Sequence, residues 1–126
     1  MKRMWVALAL LVLTVGSCAV GITYTRSVTA RMTQTVSQAK AAQKKGNAAA
    51  ACRLSEQAKK DWKDAHRVLC VYMVHERLEA LDETLAVMPE LCRNGAKEEF
   101  LSECDRGLMQ IAYLNESETP NLENVF

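Results

Sequence analysis

No charged residue stands between Arg3 and Arg26, and this gap constrains the chain more than any other feature. Met4 to Thr25 is a window of roughly the 20 apolar residues that a helix needs to cross hydrocarbon. Trp5 and Tyr24 sit near its two ends, where aromatic side chains favour the membrane–water interfaces. A secretory signal competes with the anchor, because Lys2-Arg3, an apolar stretch and small residues follow one another in the order a signal peptide uses. Val15-Gly16-Ser17-Cys18 has the look of a lipoprotein cleavage site, with Cys18 as the lipidated residue. Ala19-Val20-Gly21-Ile22 then remains apolar where a lipoprotein would pass into a polar tether. The sequence therefore favours an uncleaved anchor over residues 1–25, with lipidation at Cys18 as the alternative.

Charge supports a lipid neighbour. The 126 residues carry a net charge of only +1, yet every acidic residue lies at or beyond Glu56, and eight basic residues, from Lys2 to Arg53, precede it. A wholly basic segment beside an apolar run suits an anionic lipid surface. The aromatic residues that would stack nucleic-acid bases are missing around those lysines, so no nucleic-acid partner is expected. Positive charges nearly balance across the window. The export route of a signal-like N-terminus places the remaining domain on the extracytoplasmic side of the cell membrane, in a single-pass arrangement.

Beyond Arg26 the apolar residues recur at helical spacing. Val28, Met32, Val36 and Ala39 form one stripe, and Ala50, Ala51, Leu54, Ala58, Trp62 and Ala65 form a second. Val71, Val74, Leu78, Leu81, Leu85, Met88 and Cys92 alternate steps of three and four. Phe100 or Leu101, Cys104, Leu108 and Ile111 make the last stripe, and no alternating strand pattern competes. Gly46-Asn47 and Asn94-Gly95 punctuate the runs. Neither glycine nor proline occurs between Asn47 and Met88, but a single helix there would descend past Arg26 and drive Arg77, Glu79, Asp82 and Glu83 into lipid at several kcal/mol each. The chain must reverse, and this geometry places the reversal near residues 63–68, with Trp62 at the interface. The expected fold is all-α: an N-terminal transmembrane helix followed by an antiparallel helical-hairpin, four-helix up-down bundle over 26–115. Its helices are expected at about 26–45, 48–64, 67–93 and 96–115, with a tail over 116–126.

Trp62-x-x-x-His66-x-x-Leu69, His75-x-x-Leu78 and a tail Pro120-x-Leu122-x-Asn124-Val125-Phe126, behind a single anchor, resemble an uncharacterised bacterial family, a domain of unknown function made of small, all-helical envelope proteins. The resemblance spans nearly the whole chain and implies an anchored envelope protein, with no activity attached. The cysteine content departs from that pattern and leaves the role of the cysteines open.

The residues themselves offer little chemistry. His66 and His75, nine apart on a continuous helix, would point to opposite faces and could not share an ion. His66 with Cys70 and His75 with Glu79 are i, i+4 pairs without a third ligand, so no metal and no cofactor is expected. Of the four cysteines beyond the anchor, Cys92 and Cys104 lie about 10 Å apart along their helix axes, too far for a disulfide, which needs Cα atoms within about 7 Å. Both occupy apolar stripe positions and read as small core residues, while a bridge from Cys52 or Cys70 to another helix stays open. Glu76, Glu79, Asp82 and Glu83 read as a solvated face. Without a phosphate loop, G-x-S-x-G or H-E-x-x-H, no catalytic residue is assigned and an enzyme is not expected. What remains is an interaction or scaffold module at the cell envelope, with an unknown protein partner and candidate contact residues Trp62, His66, His75, Leu122, Asn124, Val125 and Phe126. The alternative is a small-ligand or metal binder at Trp62, His66 and Cys70.

Overall fold

The computed structural model describes residues 1–71 and 73–118. It contains four helices in chain order, α1 (Lys2–Lys44), α2 (Ala48–Leu69), α3 (His75–Arg93) and α4 (Lys97–Glu118). The described residues form no strand. The packed pairs are α1 with α2, α2 with α3, α3 with α4, and α4 with α1. That closed ring is an up-down-up-down four-helix bundle.

α1 is one helix of 43 residues, about 65 Å long at 1.5 Å per residue. Its two halves live differently. Residues 1–20 are all exposed, whereas Thr25, Val28, Thr29, Met32, Val36, Ala39 and Gln43 are buried, at the spacing of one helix face. The hydroxyls of the apolar half are satisfied within the helix. Thr14 donates to the Leu10 carbonyl, Ser17 to Leu13 and Thr23 to Ala19, at 2.8, 2.8 and 2.9 Å. A helix that contains its own polar groups in this way is compatible with hydrocarbon.

The core has small residues where helices approach and large ones between them. α2 contributes Ala51, Ser55, Ala58 and Ala65, with Trp62 and Leu69 as its large buried side chains. Leu78, Leu81, Leu85 and Met88 of α3 and Phe100, Cys104, Ile111 and Leu114 of α4 complete the core. Between α3 and α4, the Thr84 hydroxyl lies 2.7 Å from Gln110 Oε1.

At the end of the bundle far from the apolar helix, two turns share one design. After α1, Gly46 at φ +81° lets the Asn47 amide donate to the Ala42 carbonyl at 2.9 Å and the Gly46 amide to Gln43 at 3.1 Å. After α3, Gly95 at φ +74° gives the Ala96 amide to Leu91 at 3.0 Å and the Gly95 amide to Cys92 at 3.3 Å. Both are Schellman motifs, which need a left-handed residue that glycine adopts without steric cost. Asn47 then caps α2 by accepting from the Ala50 amide.

The reversal between α2 and α3 falls at residues 70–74, not at 63–68. α2 continues past the level at which an Arg26 boundary would stop it, because Ala65 and Leu69 still have core to cover. It turns before the charges of Arg77 and Glu79 would follow it down. Val71 and Val74, expected in the seam of a third helix, are instead exposed at this turn. Trp62 is 3% exposed and belongs to the core instead of an interface.

A second correction concerns the cysteines. Cys92 does not sit in the core as a free thiol; it is bonded to Cys52, with the two Cα atoms 5.5 Å apart. Helix spacing alone does not say which face of α2 meets α3, and that rotation decides the pairing. The bond ties the start of α2 to the end of α3 and closes a loop of 40 residues, for which the chain-entropy relation gives about 4 kcal/mol. Reducing agent, or the paired substitutions Cys52→Ser and Cys92→Ser, is expected to lower unfolding stability by about 2–4 kcal/mol without loss of helix content, measured by denaturant titration followed by circular dichroism. An unchanged midpoint would show that the bond does not constrain the bundle.

Candidate functional site

The sequence motif Trp62-x-x-x-His66 acquires a partner in the fold. One helical turn apart on α2, Trp62 and His66 face Asp82 on α3. The Trp62 indole N–H donates to Asp82 Oδ1, and His66 Nδ1 lies 2.9 Å from the same oxygen. An ionised carboxylate only accepts, so His66 carries its proton on Nδ1 in this pair. The rings of Trp62 and His66 sit 6.0 Å apart between centroids, tilted by 59°. Asp82 therefore satisfies the buried indole and orients the imidazole at once.

Around this triplet lies an open cavity of about 380 Å³. Leu85 and Ala86 form its apolar wall, and Lys59, Lys63 and Arg67 stand along its edge. The three cations follow one another at i, i+4 on α2 and share a face. The site thus combines an aromatic floor, one oriented imidazole and a cationic margin. Among the described residues, its lining holds no Ser, Thr or Cys.

The other sequence candidates fall elsewhere. His75 is exposed at the first turn of α3 and does not line this cavity. The Cys70 thiol donates to the Arg67 carbonyl at 3.3 Å and is also outside it. Among the described residues, no group of three or more His, Cys, Asp or Glu side chains is placed to hold a metal ion. Cys18 is exposed on the apolar half of α1. Leu122, Asn124, Val125 and Phe126 lie outside the described residues. Asp82, which sequence reading assigned to a solvated face with its acidic neighbours, is the residue that completes the site. Only the packing of α3 against α2 singles it out from Glu79 and Glu83.

Cys104 is the buried free thiol of the core. Burial pushes its pKa up to about 12 from the ordinary 9.0, and the adjacent Asp105 charge adds to the shift. Lys40, paired with Asp105 across α1 and α4, opposes it. The thiolate is the reactive form, so this cysteine is inert in the folded protein. Below about pH 9 the thiol is protonated in folded and unfolded chains alike. Above that value the unfolded chain loses the proton first, so this group lowers stability as pH rises.

A four-helix bundle built on the second half of a long apolar-headed helix, with an Asp-oriented histidine between α2 and α3, defines the class of the protein. Within that class, the chain belongs to the family described as Domain of unknown function (DUF4363), which it matches over residues 19–125. No curated protein and no solved structure matches.

Asp82→Ala is expected to cost about 1–3 kcal/mol by stranding the buried indole N–H, with altered Trp62 fluorescence, while Asp82→Asn keeps an acceptor and loses less. Equal losses in the two variants, read by chemical denaturation, would remove the hydrogen bond from the account. With iodoacetamide at pH 8, Cys70 is expected to be alkylated in the native chain and Cys104 only after denaturation. Native labelling of Cys104 on the Cys70 timescale would contradict its burial.

Proposed function

We propose that this chain is a single-pass protein of the bacterial cell envelope whose helical bundle serves as a non-enzymatic interaction or scaffold module on the extracytoplasmic side. The observation that carries the reading is α1. Its apolar half has no buried residue in the fold, while its polar-faced half supplies Val28, Met32, Val36 and Ala39 to the bundle core. An apolar helix of that length with nothing packed on it in water would expose a large hydrophobic surface, which lipid relieves. A cleaved signal sequence would not be expected to continue without a break into the first core helix.

The Cys52–Cys92 bond supports the extracytoplasmic side, because structural disulfides persist in oxidising compartments and are rare in the cytosol. A second reading draws on the cavity at Trp62, His66 and Asp82. Its cationic margin of Lys59, Lys63 and Arg67 suits a small anionic ligand, and Cys70 takes no part in it.

Alkaline carbonate washing of native membranes is expected to leave the chain in the pellet, and trapping free thiols during lysis is expected to leave Cys52 and Cys92 unmodified. Release into the wash, or modification of both cysteines, would overturn the anchor or the compartment respectively. Photocrosslinking from bundle positions in the native membrane, read by mass spectrometry, is expected to return a recurrent protein neighbour. Recovery of lipid alone would remove the scaffold reading. Thermal stabilisation by inorganic phosphate, lost in Lys63→Ala and His66→Ala, would favour the ligand reading in its place.

A further inference from the structure

The bundle has two kinds of end. The turns far from the apolar helix are polar and glycine-punctuated, Lys44-Lys45-Gly46-Asn47 and Asn94-Gly95-Ala96-Lys97. The turn between α2 and α3 is built otherwise. From Val68 to Val74 the sequence holds no charge and no glycine, and Arg67 and His75 bracket it. Val68, Val71 and Val74 are 44%, 81% and 65% exposed, an unusual density of bare β-branched side chains for a turn facing water.

Its position explains the composition. α2 runs antiparallel to α1, and near its end Val68 joins Val20, Gly21 and Tyr24 in lining one apolar groove. The chain beyond Val68 continues in the direction of the α1 N-terminus, so the turn overhangs the charge-free window of α1. Its backbone is also prepared for a poorly solvating medium. The Cys70 amide donates to His66, Val71 to Val68 and Met73 to Leu69, at 2.9, 3.3 and 2.9 Å. Amides that enter lipid unpaired would be costly, and these are not.

We propose that the α2–α3 turn is a second membrane contact, in which Val68, Val71 and Val74 enter the interfacial layer of the bilayer beside α1. Arg67 and His75 hold its depth at the headgroups, where charged ends remain hydrated while apolar side chains reach inward. A single spanning helix leaves the bundle free to rotate about its axis and tilt; a second contact beside it fixes both. The inference rests on the reading of α1 as a membrane anchor.

The test uses the full chain in vesicles of phosphatidylcholine and phosphatidylglycerol that carry nitroxide lipids at shallow or deep acyl positions. An environment-sensitive thiol dye is attached through Val71→Cys in a Cys18→Ser, Cys70→Ser background, where Cys104 is buried and Cys52 and Cys92 are bonded. Lys45→Cys in the same background reports the far end of the bundle. Native Cys18 in a Cys70→Ser chain reports the anchor. The Val71→Cys probe is expected to shift its emission to shorter wavelength and to be quenched most by the shallow nitroxide, while the Lys45→Cys probe stays unshifted and the Cys18 probe is quenched by the deep one. A Val71→Cys probe that behaves like the one at Lys45, with Cys18 still quenched, overturns the inference and leaves the anchor standing. A blue-shifted but unquenched Val71→Cys probe also overturns it, since a protein surface, such as a second copy of the chain, then covers the turn. An unquenched Cys18 probe overturns the anchor, and the second contact with it.

Discussion

One uninterrupted helix in two surroundings is the constraint on which the rest of the structure depends. α1 is exposed over residues 1–20 and then, from Thr25 onward, presents a buried face to two neighbours. The change happens over about one helical turn, and α1 stays helical through Gly21 at the crossover. Any tilt of the apolar half is therefore transmitted directly to the bundle. α2 and α4 pack on the second half of α1, so the position of every other element is measured from that helix.

Given this template, the ends of the bundle divide the work. The far end is fixed covalently and conformationally: the Cys52–Cys92 bond lies beside the two Schellman turns at Gly46 and Gly95. Ion pairs there and along the seam, such as Arg93 with Glu56 at 2.9 Å, are exposed and contribute little. Among the described residues, the near end has no disulfide and no glycine turn. It relies on Ala65 and Leu69 packing beside α1, and on the Trp62–Asp82–His66 cluster that links α2 to α3 about two turns above the reversal. This cluster joins stability to the candidate site, since the same carboxylate oxygen satisfies the indole and orients the imidazole.

Much of this fold is written in local signals. The stripe from Val28 to Ala39 and the one from Phe100 to Ile111 have helical period and one sided polarity, and Gly46 and Gly95 mark breaks that only a left-handed residue closes. The α2–α3 reversal is harder to read because its residues mimic a helix: Val71, Val74 and Leu78 keep steps of three and four, and no glycine or proline interrupts them. Charge placement showed that a reversal must occur, but where it falls depends on how far Leu69 reaches along α1. The cysteine pairing and the role of Asp82 depend on helix rotation. Cys92 sits at a stripe position that suits a small apolar residue equally well, and Asp82 lies in an acidic run with Glu79 and Glu83 that looks solvated until α2 is laid against it. Trp62 and His66 could be singled out by their spacing; the oxygen that joins them could not.

The continuity of α1 through the crossover is the claim to test most directly, by amide hydrogen exchange on the full chain held in a lipid nanodisc. The account predicts slow exchange throughout Gly21 to Met32, with protection passing smoothly from the apolar half into the bundle core. Fast exchange confined to residues 21–27, flanked by protected segments, would reveal a hinge there and contradict the rigid coupling of anchor and bundle.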